Sequence, residues 1–295
     1  MPAVIEAIRR AAPPPRWRQP SSIALAADAG RRVLAAAGDP ERIDLLINVG
    51  IYRDQNIMEP ALAPLIQSRI KALDRKDLFS FDLANGDCGL LDAFRVVDSL
   101  MRAGSVRRAL VLASDVDPNP GRSVGLAVGA AGVGVVLAAG EGRAGFGSFH
   151  AETFSKHAHL YESRVEWLGP ARSRLGRSPG QAIRRRTDDA YAERCAESAA
   201  LAAARFLEAQ GLAPEDLDLV VAPELPPDLP RHLTELLGVP ETQLASDPDS
   251  AGTCSAASGL ALEAAFASGR LAAARRALLV SVGAGITVSL ALYEQ

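Results

Sequence analysis

The sequence predicts a layered α/β protein built from two copies of one helix-and-strand unit. Three observations carry this. The segment "GDPERIDLLINVG" (38–50) matches "LAPEDLDLVVAPE" (212–224), and both follow an Ala-rich helical pattern. Each copy continues into a helix, a basic turn and an apolar strand, "CGLLDAFRVVDSLMRAGSVRRALVLASD" (88–115) and "CSAASGLALEAAFASGRLAAARRALLVSVG" (254–283). The runs "DLLINVG", "RALVLAS", "LDLVVAP" and "RALLVSV" are continuously apolar, as strands buried on both faces must be.

Each element follows from local pattern. "PAVIEAIRRAAPPPRW" opens as a strand. "SSIALAADAGRRVLAAA" and "AYAERCAESAALAAARFLEAQ" read as helices ahead of the matched strands. "FDLANGDCGLLDAF" (81–94) reads as a strand, a glycine-marked turn and a helix start, with Asp87 a favoured residue type for a helix N-cap. "VGLAVGAAGVGVVLAAG" reads as buried strand and turn. Helices covering mostly parallel sheets give the layered solution, and two halves side by side give a five-layer α-β-α-β-α sandwich. The expected division is 1–168 for the first half, 169–189 for a connector rich in Gly, Pro and Arg, and 190–295 for the second half.

The totals narrow the function classes. The 295 residues are 48% hydrophobic, 23% charged and 5% aromatic, so the core is built from Ala, Leu and Val. A formal net charge of −3 argues against nucleic acid as a partner. Cys88, Cys195 and Cys254 are far apart and odd in number, so no disulfide framework is expected and a reducing cytoplasm fits. The first residues carry no signal-peptide pattern, because Glu6, Arg9 and Arg10 interrupt the apolar run. No run approaches the ~20 apolar residues that span a bilayer. No cofactor is expected: "GVGVV" lacks the G-x-G-x-x-G spacing. No metal is expected either, since His157 and His159 in "KHAH" have no third ligand nearby. Arg184, Arg185 and Arg186 read as a solvated linker or as a docking patch for an acidic partner or a phosphate group.

The blocks "FSFDLANGDCGLLDAFRVVDSLMRAGSVRRALVLASDVD", "AGTCSAASGLALEAAFASGRL" and "GAGITVSLALYE" resemble the thiolase fold. They are most similar to the type III ketoacyl-acyl-carrier-protein synthases, over nearly the whole chain. The resemblance implies a cysteine at a helix start that accepts an acyl group from a thioester, with a histidine and an asparagine supporting decarboxylation. A helix N-terminus lowers a thiol's pKa, and neutral donors hold an oxyanion. Registered on Asp82 and Asp98, the nucleophile's place falls on Asp87, with Cys88 one residue on. The histidine's place falls at Pro223 and Glu224, and the asparagine's on Thr253. The usual Gly-Asp-Gly-Ala-Gly turn runs "GAAGVG" (129–134), and much of a segment that helps hold coenzyme A is missing after "PPPRW".

Two readings follow. In one, Asp87, Cys88, Glu224 and Thr253 line a non-canonical acyl-transfer site, with Cys254, Gly283 and Gly285 against the substrate and Asp87 paired with Glu224 as acid and base. Its partner is an acyl thioester on acyl carrier protein or coenzyme A. In the other, the chain is a non-catalytic subunit that pairs with a paralogous synthase through the family's continuous sheet, whereas a homodimer would go with the first. In that second reading Asp87 only caps its helix, and Cys88 and Cys254 are inert core residues.

Overall fold

A computed structural model of the chain describes residues 1–13, 20–54, 60–117, 122–125, 129–142, 144–168 and 181–295. Two five-stranded sheets form its frame. The first contains β1 (Ala3–Arg10), β2 (Leu45–Asn48), β3 (Phe79–Asp82), β4 (Arg108–Asp115) and β5 (Ala131–Ala139), in the order β1-β5-β4-β2-β3. The second contains β6 (Gly145–Thr153), β9 (Leu219–Val221), β10 (Leu244–Ala245), β11 (Arg276–Gly283) and β12 (Thr287–Glu294), in the order β10-β9-β11-β12-β6. A separate hairpin joins β7 (Tyr161–Trp167) to β8 (Gln181–Thr187).

The sheets are mixed rather than mostly parallel. β2 runs parallel to β3 and β4, and β9 runs parallel to β10 and β11. β5 is antiparallel to both β1 and β4, and β12 to both β11 and β6. The reason lies in the connections: β11 returns into β12 through three residues, 284–286, too few for a parallel crossover.

Two helices lie between the sheets, α3 (Gly89–Arg102) and α6 (Ala257–Ala267). Their side chains share one apolar core with both sheets, in which Phe94, Val97, Ala261 and Leu262 meet Ile47, Val111, Val221 and Leu279. α6 carries apolar residues on every side, as a helix enclosed by two sheets must. The outer face of the first sheet is covered by α1 (Ser22–Ala37) and α2 (Leu62–Gln67). α4 (Tyr191–Ala209) and α5 (Leu229–Leu237) cover the outer face of the second. The result is the five-layer α-β-α-β-α sandwich, completed by the short α7 (Arg270–Ala273).

The duplicated blocks land on equivalent elements, α1-β2 with α4-β9 and α3-β4 with α6-β11. By sheet membership, the chain changes halves between Ala139 and Gly145, ahead of the expected 168/169 division. Residues 169–180 of the expected connector lie outside the described residues, and 181–187 form β8 rather than a linker. Residues 14–19, near the place where the resemblance implies a shortened coenzyme A segment, also lie outside them.

The aspartates that fix the register have structural work. Asp82 accepts hydrogen bonds from Leu62 N (2.7 Å) and Ala63 N (2.8 Å) at the start of α2. Asp98 accepts from Ala3 N (2.8 Å) and from Arg102 Nε (2.6 Å). Phe94 is fully buried between the sheets, its ring 5.4 Å from that of Phe146. Truncating it leaves a cavity that two flanking sheets cannot close, so Phe94→Ala is expected to cost about 3–5 kcal/mol. Urea denaturation, read by far-ultraviolet circular dichroism, checks this.

Candidate functional site

The candidate site lies where the starts of α3 and α6 meet. Gly86, Asp87 and Cys88 form a single 3₁₀ turn that runs straight into α3. Opposite it, 250–254 bring Thr253 and Cys254 to the start of α6. The tie between them is Asp115, the last residue of β4. It is fully buried. Its Oδ2 accepts from Cys254 N (3.1 Å) and Ala256 N (2.8 Å), and its Oδ1 from Ser255 Oγ (2.6 Å). A carboxylate from the first half thus caps the central helix of the second, favourably placed at that helix's positive end.

Asp87 keeps some exposure as a residue, but its Oδ1 is buried and has no hydrogen-bond partner. Its side chain does not bond the helix backbone, so it is no N-cap in the strict sense. Burial, reinforced by the Asp115 charge, pushes its pKa up to about 7. The Arg185 guanidinium and the Cys254 thiol, which offers a hydrogen bond, work in the opposite direction.

Cys88 is fully buried, and its Sγ is within hydrogen-bond reach of Thr287 O (3.3 Å). Burial pushes its pKa up to about 12, so it stays a thiol. It packs against the β11–β12 turn, away from any reacting group, as a slip of one residue on a helix dictates. Gly283 makes room for it, since a Cβ there would lie 3.3 Å from Cys88 Sγ. Gly285 has φ +81° and closes the turn. Both glycines thus serve the turn and the packing of Cys88.

Cys254 is buried in a small apolar cluster with Tyr52 and Ile183. Burial first, then the charges of Asp87 and Asp115, hold its pKa well above the ordinary thiol value. Thr253 is also buried, and its Oγ1 donates to Ser250 O (3.0 Å). That hydroxyl is spent on its own turn.

The expected Asp87–Glu224 pair does not form. Glu224 Oε1 accepts from Ser246 Oγ (3.0 Å), its Oε2 from Asp228 N (3.2 Å), and its N–H donates to Ser250 Oγ (2.8 Å). It organises the loop before α5, while the acid that acts on Asp87 is Asp115. No histidine serves the site. His150 stacks on Phe206, His232 lies on α5 beside Arg231, and His157 and His159 sit in a 3₁₀ segment rather than an extended one. Among the described residues, no group of three or more His, Cys, Asp and Glu is placed to hold a metal ion.

Four residues around the turn were not singled out as site residues from sequence. Tyr52 is buried, and its hydroxyl lies 3.4 Å from that of Tyr161. The Arg185 guanidinium stacks 5.2 Å over the Tyr161 ring. Tyr191 and Asp87 are close enough for charge on one to act on the other. The only sequence signal was the arginine run itself. Its members part company: Arg184 bonds Glu166 and Arg122 O, Arg185 turns inward, and Arg186 is exposed.

Comparison with known proteins agrees with this architecture. Residues 207–294 match the family model for the C-terminal part of 3-oxoacyl-[acyl-carrier-protein] synthase III. The chain is 24% identical to the β-ketoacyl-[acyl-carrier-protein] synthase III of Aquifex aeolicus over 89% of this chain and 81% of that one. It superposes on OleA of Xanthomonas campestris, crystallised with lauric acid and lauroyl-CoA, with a TM-score of 0.78 at 17% identity over 100% and 99% of the two chains. It superposes on the priming β-ketosynthase of a polyketide pathway with a TM-score of 0.77 at 19% identity over 99% and 96%. The two sheets with their enclosed helices are those of a thiolase-fold protein. Within that fold, the chain is similar in sequence to type III ketoacyl synthases, and its C-terminal part matches their family model.

Asp87 gives a pH signature. Its folded pKa lies above the ordinary carboxyl value of 3.8. The folded state therefore holds the proton more tightly, and stability falls as pH rises from about 4 through about 7. Asp87→Asn removes that loss. It is expected to raise the melting temperature at pH 8 by about 2–5 °C and to leave it little changed at pH 4. Thermal melts across this range check both ends.

Proposed function

We infer that the chain serves fatty-acid or polyketide-type acyl metabolism as a non-condensing member of its family, a partner subunit to a synthase that carries the chemistry. The observation that supports this reading is the composition of the turn at Asp87. The nucleophile's place, as the resemblance sets it, holds a carboxyl group that burial keeps largely protonated below neutral pH. The two nearest thiols are held protonated by burial. No imidazole stands by to take a proton from any of them, and Thr253 is committed to Ser250. A nucleophile needs a lowered pKa or a strong adjacent base. No thiol here has a lowered pKa, and the carboxyl beside the Cys254 thiol, Asp87, is itself pushed toward holding its proton.

A pairing surface supports the same reading. Among the described residues, β3 is the edge strand of the first sheet and pairs only with β2. It exposes Phe79 at 62%, with the Phe81 ring 5.2 Å away. An apolar edge strand left open is a template for strand pairing.

The buried, unpartnered Oδ1 of Asp87 favours a second reading. In it, the neutral carboxyl donates a proton during acyl transfer from a thioester, with Asp87 as the general acid.

Purification from the native host separates these. The first reading expects a complex with a second synthase-like chain bearing its own cysteine nucleophile, and Phe79→Asp is expected to release that chain. It also expects no acyl adduct by intact-protein mass spectrometry after incubation with octanoyl-CoA. A homodimer that turns over octanoyl-CoA, and loses that turnover in Asp87→Ala, would overturn it in favour of the second.

A further inference from the structure

The β7–β8 hairpin brings one cation to the Asp87 turn and leaves it without a counter-ion. Arg185 makes no ion pair within 4.0 Å among the described residues, although the charges of Asp87 and Arg185 act on each other. Its backbone is fixed: Arg185 N donates to Val124 O (2.9 Å), and Val124 N donates to Ile183 O (2.9 Å). Its guanidinium rests on Tyr161, on the diagonal from its cross-strand partner Ser163. A partly buried guanidinium offers five N–H donors in a planar fork, and leaving them unmatched is costly.

The surrounding groups are also donors. Tyr52 and Tyr161 share one hydrogen bond at 3.4 Å, in which one hydroxyl gives its proton to the other. The pair thus keeps one phenolic proton beyond its own bond, and Cys254 Sγ, a weak acceptor beside Tyr52, competes with a ligand oxygen for it. Burial pushes both phenols upward in pKa, so neither becomes an anion that would satisfy Arg185. Beside them, Ile51, Ile183 and Cys254 supply an apolar wall. Asp87 and Arg185 both retain partial exposure, which gives a small molecule access.

The geometry points to a carboxylate-binding site here: the Arg185 guanidinium, with the Tyr52–Tyr161 hydroxyl pair, holds the head of a free acyl acid whose apolar chain lies against Ile51, Ile183 and Cys254. This rests on the acyl-metabolism reading above and names its ligand as the free acid rather than the thioester. The charge count selects a monoanion. Among the described residues, Arg185 is the cation whose charge acts on Asp87, while Arg184 is engaged by Glu166 and Arg186 is exposed. A phosphate dianion would need a second cation, whereas a carboxylate matches the guanidinium fork alone.

Isothermal titration of the full chain with octanoate tests this, with octan-1-ol and inorganic phosphate as controls. Octanoate is expected to bind at millimolar or lower concentration, and Arg185→Gln to weaken it by about tenfold or more. Arg185→Lys should fall between, since it keeps the charge and loses the fork. Octan-1-ol should bind Arg185→Gln and the unmodified protein alike, and phosphate should not displace octanoate. Circular dichroism confirms that each variant folds. If Arg185→Gln does not, Tyr161→Phe makes the same comparison while keeping the ring beneath the guanidinium, with a smaller loss expected. Absence of octanoate binding, equal octanoate affinity in the variants, or displacement by phosphate overturns the proposal. A parallel incubation with octanoyl-CoA keeps the two readings apart. Release of coenzyme A would sink the non-condensing reading and leave the carboxylate site standing, whereas loss of octanoate discrimination alone would do the reverse.

Discussion

The carboxylate of Asp115 is the constraint on which the centre of this molecule depends. It ends a strand of the first sheet, yet it caps the enclosed helix of the second half, through Cys254 N, Ala256 N and Ser255 Oγ. The two halves therefore meet at a defined place, and the start of α6 faces the start of α3. A buried carboxylate with three donors is a stable arrangement, but its charge extends beyond them. Burial pushes Asp115 upward as well, against the pull of its three donors, and its charge adds to the burial that makes Asp87 hold its proton. The electrostatic state of the turn is thus set by a residue whose work is architectural.

That ordering bears on the three candidate nucleophiles at the turn, each of which is held toward its protonated form. Cys88 is fixed by Thr287 O and by the close approach of Gly283. Cys254 is enclosed beside Tyr52, with two acids nearby that disfavour a thiolate. Asp87 lacks a base, and Glu224 is occupied with Ser246 and the loop before α5. What the region presents to a visiting molecule is an array of donors around one cation. Such an array suits recognition of an anion better than attack on a thioester.

Much of the fold was legible because its signals are local or repeated. The duplicated helix-strand blocks fell on equivalent elements, and the continuously apolar strands proved buried on both faces. The parallel bias was over-read, because hydrophobic runs report burial but carry no strand direction. The site was less legible. Asp82 and Asp98, on which Asp87 was registered, both hold backbone amides, and Asp87 and Cys88 fall on the turn between them that opens α3. The pairing of Asp87 with Glu224 failed because proximity across halves depends on loop paths that no spacing encodes. Tyr52, Tyr161 and Arg185 lay beyond reach for the same reason: they come from three distant segments and converge only through the β7–β8 hairpin. Arg185 was visible as a charge run but could not be told from Arg184 and Arg186, because only strand alternation decides which one points inward.

The three consecutive arginines also bear on how robust the roof of this turn is to error. A strand that slips by one position normally exchanges an inward side chain for one of opposite character. In β8, the residues on either side of Arg185 are again arginines, so a slipped hairpin still delivers a guanidinium above Tyr161. The pairing of Val124 with the backbone of Ile183 and Arg185 selects the register, while the repeated residue type protects the charge if that selection fails. Identity of the cation is thereby separated from accuracy of the strand that carries it.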